Sequence, residues 1–290
     1  MKMDWELPKL FKRQVYIKVI TNKYKKGVNK MSMNVSGFSM DFFSLKAKVA
    51  IVTGGNTGLG QGYAVALAKA GADIFVTTHG TNWDETRNLI EDLGRKVVFY
   101  QADLSKREQI SAAVDACMNE YGRVDVLVNN AGAIKRAPLL EYKDEDWKAV
   151  LDINLNAVYY LSQDVAKIMV KQGSGKIINI ASMLSFQGGK FVPAYTASKH
   201  GVAGITKAFA NELGDKNIQI NAIAPGYIAT GNTSPIRADE GRSADILARI
   251  PAGRWGNPFD VMGTVVFLAS RASDYVNGHI IAVDGGWLVR

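Results

Sequence analysis

The sequence predicts an α/β fold in which one doubly wound domain holds a seven-stranded parallel sheet with helices on both faces. Two observations predict this fold class. From about residue 47 to the end of the chain, short apolar runs alternate with helical stretches, which is the pattern of repeated βαβ units. No Pro-, Ser- or Gly-rich linker interrupts the alternation, and 290 residues suffice for one large core.

The first half of the series contains four strand patterns, which read KVAIVTG, DIFVTT, KVVFYQAD and VDVLVNNAG. The helical patterns between them read LGQGYAVALAKAGA, WDETRNLIEDLG and REQISAAVDACMNEYG. Continuous apolar runs of this length are typical of strands that are buried on both faces of a parallel sheet. Four parallel strands with three crossover helices are therefore expected here.

The second half contributes three more strand patterns, which read GKIINIAS, IQINAIAPG and HIIAVDGG. The helical patterns read WKAVLDINLNAVYYLSQDVAKIMVKQG, AYTASKHGVAGITKAFANELG and PFDVMGTVVFLAS, and we interpret the first as one long helix. Residues 227–257 contain no clear element and are longer than a connection requires. We interpret this segment as a substrate lid with one or two short helices.

The net charge of +8 is concentrated at the N-terminus. Residues 1–40 contain nine Lys and Arg against two acidic residues, and the remainder of the chain contains 26 basic and 25 acidic residues. We therefore predict a basic, poorly ordered extension over residues 1–41 and a folded domain over 42–290, which includes the lid. A basic arm can also contact nucleic acid or lipid headgroups, but the domain's near-neutrality argues against a nucleic-acid partner.

Two absences narrow the functional class. No run of 18 apolar residues and no secretory signal pattern occurs in the sequence, so we expect a cytoplasmic protein without a membrane partner. Cys117 is the single cysteine, which excludes an internal disulfide and a cysteine-based metal cluster. Because Cys117 lies in a helical pattern, it is expected to be a buried hydrophobic residue, and no metal site is predicted.

A glycine-rich turn follows the first strand and opens the first helix. Gly54, Gly58 and Gly60 would let backbone N–H groups approach the pyrophosphate of a dinucleotide, as in Rossmann-type domains. The alternative interpretation is a plain tight corner. The second strand ends in neither an acid nor an arginine, and no Lys or Arg stands at 55–57 or 77–80, which favours NAD over NADP. Asp103 either accepts from the adenine amino group or caps a helix.

A tyrosine and a lysine are spaced for proton transfer. Tyr195 and Lys199 are four residues apart in a helical pattern, so both side chains project from one face. Ser182 ends a strand at the edge of the sheet where open α/β sheets bind ligands. A nearby cation would lower the pKa of a phenol, whose ordinary value is about 10. The alternative is a surface Tyr and Lys on an ordinary helix.

Together with the motifs NNAG at 129–132 and PGYIAT at 225–230, these residues resemble the short-chain dehydrogenase/reductase family from about residue 42 onward. The resemblance implies that Tyr195 is the general acid/base, that Lys199 holds the nicotinamide ribose and lowers the tyrosine pKa, and that Ser182 orients the carbonyl. It also implies that Asn154 anchors a proton-relaying water. The implied cofactor-binding residues are Thr53, Gly54, Asn56, Thr57, Gly58, Leu59, Gly60, Asp103, Leu104, Asn130, Ala131, Gly132, Tyr195, Lys199, Pro225, Gly226, Ile228 and Thr230.

The substrate side of the sequence is similar to bacterial dehydrogenases that act on keto-deoxy sugar acids in uronate catabolism. The stretches that carry this similarity are IASMLSFQGG, NAIAPGYIAT, RADEGRSADILARIPAGRWG and ASDYVNGHIIAVDGGW. The resemblance implies an NADH-dependent reduction of 2,5-diketo-3-deoxygluconate and a homotetramer. Arginine pairs bidentately with carboxylate, so Arg136 and Arg237 are substrate candidates, with Met183 and Gln187 lining the pocket.

Three alternatives remain open at this stage. Two are enzymes, a gluconate 5-dehydrogenase and a 3-oxoacyl-carrier-protein reductase. The third is a dinucleotide-sensing protein whose basic arm binds nucleic acid. The acidic residues of the lid argue against docking of an acidic carrier protein, and the Ser182, Tyr195 and Lys199 set argues against a sensor that performs no chemistry.

Overall fold

Seven parallel strands form one sheet in the computed structural model, which describes residues 35–290. The strands are β1 (Val49–Thr53), β2 (Asp73–Thr78), β3 (Val97–Gln101), β4 (Val126–Asn129), β5 (Gly175–Ile180), β6 (Ile218–Pro225) and β7 (Ile280–Val283). The helices are α1 (Gly58–Lys69), α2 (Asp84–Glu91), α3 (Arg107–Tyr121), α4 (Asp144–Leu151), α5 (Ala157–Gln172), α6 (Pro193–Leu213), α7 (Ser234–Ala238), α8 (Glu240–Arg249) and α9 (Pro258–Ala269). The predicted α/β fold class is confirmed.

The sheet is doubly wound, with strand order β3-β2-β1-β4-β5-β6-β7. Strands β2 and β3 follow β1 on one side of the sheet. The chain then crosses to the other side of β1, where β4, β5, β6 and β7 lie in order. The order therefore reverses between β1 and β4, the point at which ligands bind to open α/β sheets. The central strands have almost no exposed side chains, as expected where helices cover both faces.

Two apolar layers lie on opposite faces of the sheet. On one face, α1 and α9 pack together over side chains such as Ile74 and Val76. On the other face, α3 and α5 cover the alternate residues, among them Phe75. Successive strand residues point to opposite faces, so each strand contributes to both layers.

The single helix predicted over residues 147–173 is two helices joined by a π-helical segment, Asp152–Asn156, between α4 and α5. Single π turns inside helices are frequent at functional sites. Here the segment places Asn154, which is fully buried, against the loop that follows β4.

Residues 227–257 fold into a 3-10 turn, Gly231–Thr233, followed by α7 and α8. The short helices expected in this segment are therefore present. Asp239 separates them: its carboxylate accepts a hydrogen bond from the backbone N–H of Arg242 at 3.0 Å and caps the start of α8.

The chain divides into two compact units, Met1–Ser39 and Met40–Arg290. The described part of the first unit contains one 3-10 turn, Val35–Gly37. We predicted that the basic extension over residues 1–41 is poorly ordered. Residues 1–34 of this extension lie outside the part of the chain that the structure describes. Among the described helices, none combines the length and apolarity needed to cross a bilayer. Cys117 is fully buried, and burial raises the pKa of its thiol to about 12, so the thiol is unreactive.

Candidate active site

A cleft of about 950 Å³ opens at the carboxyl ends of the strands. It begins at the glycine turn between β1 and α1, passes the ends of β4 and β5, and reaches α8. Parallel strands end at one edge of the sheet, so loops distant in sequence meet there. Of the eighteen residues predicted to bind the cofactor, all except Thr53 and Asp103 line this cleft.

The glycine turn is shaped for a pyrophosphate. Gly54 and Gly58 have φ values of +62° and +58°, in the left-handed region that favours glycine. A Cβ on Gly60 would collide with the carbonyl oxygen of Gly54, whereas a Cβ on Gly58 would meet open space. The turn is therefore packed against its own backbone on one side and accessible on the other, where the N-terminus of α1 favours an anion.

Thr53 supports the turn without lining the cleft. Its buried hydroxyl oxygen accepts hydrogen bonds from the backbone N–H groups of Asn130 at 2.9 Å and Ala131 at 2.8 Å. Asn130 Nδ2 in turn donates to the carbonyl oxygen of Thr53 at 2.8 Å. These bonds join β1 to the loop after β4. Thr53 thus holds the loop that carries Asn130 and Ala131, which line the cleft; direct contact of Thr53 with the cofactor stays a prediction.

Asp103 does not line the cleft either, although its neighbours Ala102 and Leu104 do. The Asp103 carboxylate accepts a hydrogen bond from the backbone N–H of Ser105 at 2.9 Å, and hydrogen bonding to Ser105 lowers its pKa. This bond closes a local turn and is not a helix cap, because the next helix begins at Arg107 with Lys106 as its N-cap. Adenine recognition by Asp103 stays a prediction. At the end of β2, Thr77 lines the cleft with a buried hydroxyl that has no hydrogen-bond partner among the described residues. This polar group and the glycine turn fit a dinucleotide.

Tyr195 and Lys199 lie on α6, whose first residue, Pro193, has the backbone angle of a helix start already fixed. Both side chains line the cleft together with Ser182, which follows β5. Lys199 Nζ donates to the carbonyl oxygen of Ile180 at 2.5 Å and lies 5.5 Å from the centroid of the Tyr195 ring. The predicted trio is therefore brought together at one place.

Burial raises the pKa of the Tyr195 phenol above its ordinary value. This effect is larger than the opposite effects of hydrogen bonding with Ser182 and of the charge of Arg136, which both lower the pKa. Burial also lowers the pKa of Lys199 to about 8. The sequence-based interpretation assigned the lowering of the tyrosine pKa to Lys199. In the structure hydrogen bonding with Ser182 and the charge of Arg136 lower this pKa, and the effect of Lys199 stays a prediction.

Asn154 connects the loop after β4 to α6. Its Oδ1 accepts from the N–H of Ala133 at 2.7 Å, and its Nδ2 donates to the Ala133 carbonyl at 2.9 Å and to Ser198 Oγ at 3.2 Å. Ser198 Oγ donates to the carbonyl oxygen of Tyr195 at 2.7 Å. Both amide hydrogens of Asn154 are engaged and the residue does not line the cleft, so its side chain positions the helix turn of Tyr195.

Two serines that sequence reasoning missed support the same helix. Ser198 is described above, and Ser185 Oγ donates to the carbonyl oxygen of Lys199 at 2.7 Å. Both are buried. The only signal in the sequence is their short distance from Tyr195 and Ser182, which does not separate them from other serines.

On the substrate side, Arg136, Met183 and Gln187 line the cleft as predicted, but Arg237 does not. The Arg237 guanidinium donates to the carbonyl oxygen of Thr230 at 3.3 Å. Arg237 lies on α7, where its neighbour Ile236 lines the cleft instead. On α8 the lining residues are Arg242 and Arg249, which are seven residues apart and therefore lie on one face of the helix.

The charges around the cleft have one sign. Among its described lining residues none is Asp or Glu, and the cations are Arg136, Lys190, Lys199, Arg242 and Arg249. A cleft that is lined by positive charges attracts anions and raises their local concentration. The arrangement therefore suits an anionic substrate in addition to the phosphates of a dinucleotide.

Comparisons with known proteins agree with this geometry. A family model described as enoyl-(acyl carrier protein) reductase matches residues 54–288. The chain is 59% identical over 254 residues to the 2-dehydro-3-deoxy-D-gluconate 5-dehydrogenase of Bacillus subtilis, covering 88% of this chain and 100% of that protein. It is 58% identical over 252 residues to the enzyme of the same name from Escherichia coli, covering 86% of this chain and 98% of that protein.

A solved structure is also similar. It is a gluconate 5-dehydrogenase from Burkholderia cenocepacia in complex with NADP and tartrate, with a TM-score of 0.83 and 36% sequence identity. The match covers 86% of this chain and 98% of that one.

Proposed function

Because the chain belongs to the short-chain dehydrogenase/reductase family and is an oxidoreductase, we propose that it interconverts 2-dehydro-3-deoxy-D-gluconate and its 2,5-diketo form, using NAD(H). The observation that carries this proposal is the placement of Ser182, Tyr195 and Lys199 in a cleft whose described charges are all positive. A small sugar acid brings the carbonyl that Tyr195 protonates and the negative charge that the cleft favours.

The chemistry divides between the cofactor and the chain. When bound, the nicotinamide supplies the hydride for reduction of the ketone and accepts it in the reverse direction. In the reductive direction Tyr195 gives its phenolic proton to the carbonyl oxygen, and Ser182 donates a hydrogen bond to the same oxygen. The resulting alcohol carries the hydride on carbon and the phenolic proton on oxygen.

The electrostatics favour reduction. Since the pKa of Tyr195 lies above its ordinary value, the phenol is protonated at neutral pH and ready to act as an acid. After transfer, hydrogen bonding from Ser182 and the charge of Arg136 stabilise the phenolate until it regains a proton from solvent. The reverse reaction requires the phenolate at the start and is therefore expected to be faster at alkaline pH.

The coenzyme class is NAD(P), and within it we propose NAD. Thr77, Thr78, His79 and Gly80 line the adenosine end of the cleft, as do Asn56 and Thr57 of the glycine turn. None of these residues carries a permanent positive charge that could pair with the 2′-phosphate dianion of NADP. The similar gluconate 5-dehydrogenase structure contains NADP, so the two coenzymes must be compared directly on this chain.

We also propose that the protein is a homotetramer, as the family resemblance implies. In the C-terminal segment Val289 is 88% exposed whereas Trp287 is buried, which leaves an apolar side chain available for a subunit contact. Light scattering coupled to size-exclusion chromatography measures the assembly mass, and a monomer mass would contradict this proposal.

The substrate assignment is tested by following NADH oxidation with a panel of ketones. The panel contains 2,5-diketo-3-deoxygluconate, 5-ketogluconate and a 3-oxoacyl thioester, one for each enzyme that the sequence left open. We expect the highest kcat/KM with the first. Preference for 5-ketogluconate or for the thioester would replace the proposed function with the corresponding alternative.

A further inference from the structure

Arg249, an exposed residue at the far end of the cleft, stacks on a buried aromatic ring. Its Cζ lies 4.0 Å from the centroid of the Trp287 ring, the geometry of a cation–π stack. Trp287 is 7% exposed, and its Nε1 donates to Gln187 Oε1 at 3.0 Å. A guanidinium stacked in this way retains all its N–H donors at its edge, where a carboxylate can accept two of them.

A second arginine points to the same place. Arg242 precedes Arg249 by seven residues, on the same face of α8, and both line the cleft. Both charges act on the phenol of Tyr227, whose pKa burial raises and these two arginines lower. The ring of Tyr227 lies 4.7 Å from that of Trp287. Arg242 and Arg249 therefore both lie on the side of the cleft that Tyr227 and Trp287 also line; we call this side the aromatic corner.

Among residues 35–290, no carboxylate forms an ion pair with Arg242 or Arg249. Within the described residues the ion pairs involve other arginines, such as Arg254 with Asp260 at 2.7 Å. The carboxylate of Asp239, three residues before Arg242, accepts from a backbone N–H instead, and neither Glu240 nor Asp245 is in one of the described ion pairs. Two neighbouring cations without an anion repel each other, and a bound anion would remove that repulsion.

The position of this corner matches the shape of the proposed substrate. Arg136 lies close enough to Tyr195 for its charge to lower the phenol's pKa, so it serves the reacting end. In 2-dehydro-3-deoxygluconate the carboxylate is four bonds from C5 and lies away from the carbon that reacts at Tyr195, and Arg242 and Arg249 are the described arginines that line the cleft besides Arg136. The corner is connected to the catalytic serine through Met183, which follows Ser182 and packs with Ile246 and Trp287.

We propose that Arg249, stacked on Trp287 and assisted by Arg242, binds the carboxylate of the sugar acid whose ketone faces Tyr195. The proposal rests on the proposed function for the identity of the acid, but not for the presence of an anion site. Arg249 is thus a specificity-determining residue for carboxylate-bearing substrates.

The test uses two probes that differ at one end. D-Gluconate carries the carboxylate, and D-sorbitol has the same carbon chain with an alcohol in its place. Each is titrated into the full-length protein saturated with NADH, and binding is measured by calorimetry. We expect the unaltered protein to bind gluconate more tightly than sorbitol. Arg249→Met should weaken gluconate binding about 10- to 100-fold, the range for a charge-assisted pair, with sorbitol binding unchanged.

Arg237→Met is the matched control, because it removes an arginine from the same segment that does not line the cleft; it should leave both affinities unchanged. Arg249→Lys retains a cation but loses the planar fork, and we expect an intermediate loss of gluconate affinity. NADH affinity reports that each variant is folded. If Arg249→Met fails to bind NADH, Arg249→Lys decides, and gluconate affinity equal to that of the unaltered protein would overturn the proposal.

Two further outcomes also overturn it: equal affinity of the unaltered protein for gluconate and sorbitol, or a preference for gluconate that persists in Arg249→Met. Failure of the proposed function would look different. In that case the unaltered protein would not reduce 2,5-diketo-3-deoxygluconate, while its binding of gluconate would still depend on Arg249.

Discussion

The ammonium group of Lys199 lies 2.5 Å from the carbonyl oxygen of Ile180, the last residue of β5. Lys199 is 5% exposed, and burial lowers its pKa to about 8. This cation is thus held at the site against an electrostatic penalty, which points to selection for function rather than for stability.

Burial of the charged Lys199 should lower the free energy of unfolding of the protein. Below pH 8 the buried lysine is protonated in both the folded and the unfolded chain, so the full cost is present. Between about pH 8 and the ordinary lysine pKa of 10.4, the unfolded chain binds more protons, and stability rises with pH. Lys199→Met should therefore raise the free energy of unfolding at pH 7 by about 1–3 kcal/mol, and by less at pH 10. Urea unfolding at both pH values measures this, with the exposed Lys207→Met as control.

Tyr195→Phe should lower kcat for ketone reduction by about 100- to 10,000-fold, the usual contribution of a general acid. NADH affinity should change little, because the phenyl ring remains. Steady-state rates and fluorescence titration of NADH test the two parts separately. Turnover equal to that of the unaltered protein would remove Tyr195 from the proposed chemistry.

Arg136 should control the pH dependence of the oxidative reaction. Its positive charge lowers the pKa of Tyr195, so Arg136→Met should raise that pKa. In a plot of the oxidative kcat/KM against pH, the rising limb should therefore move to higher pH. Arg136→Lys keeps the charge and should leave the limb close to its original position. A structural role alone would change the rates without moving the limb.

The end of β2 should make NADH the better coenzyme, with a higher kcat/KM than NADPH. His79→Arg would place a permanent cation beside the adenosine ribose, and we expect it to raise kcat/KM for NADPH. A chain that already prefers NADPH would contradict the proposed coenzyme. The measurement compares both coenzymes at a fixed concentration of the same ketone.

A chain that starts at Met40 should fold and retain activity, because residues 40–290 contain all seven strands and every described residue of the cleft. The contact between Phe42 and Arg271, with 4.9 Å from the ring centroid to Cζ, is kept in this shorter chain. Circular dichroism and the NADH assay measure the outcome; aggregation or inactivity would show that residues 1–39 are structural. Salt-sensitive gel shifts that disappear on truncation would revive the nucleic-acid alternative.

The strands and most helices were predictable because apolar periodicity depends on local sequence. The π-helical segment at Asn154 was not, since an added residue in a helical turn leaves the apolar pattern of the flanking helices intact. The glycines and the Ser182, Tyr195 and Lys199 set were found from spacing that chemistry constrains directly.

The substrate side was only partly predictable. Arg237 and Arg249 look alike in the sequence, and they differ in which face of its short helix each one occupies: on α7 the neighbouring Ile236 lines the cleft, whereas on α8 Arg249 itself does. Trp287 is distant from Arg249 in sequence, so their stack depends on tertiary packing. Thr53 was expected to contact the cofactor, and Asp103 either to accept from adenine or to cap a helix. Their side chains accept hydrogen bonds from neighbouring backbone N–H groups, and their contacts with the cofactor stay predictions.

Cys117 makes the molecule convenient for optical labelling. The chain has one thiol, and it is fully enclosed in the core, so maleimide dyes should leave the native protein unmodified. A cysteine introduced at Ala238, the last residue of α7, would then be the single reactive position, and a fluorophore attached there would report whether this segment moves when a sugar acid enters.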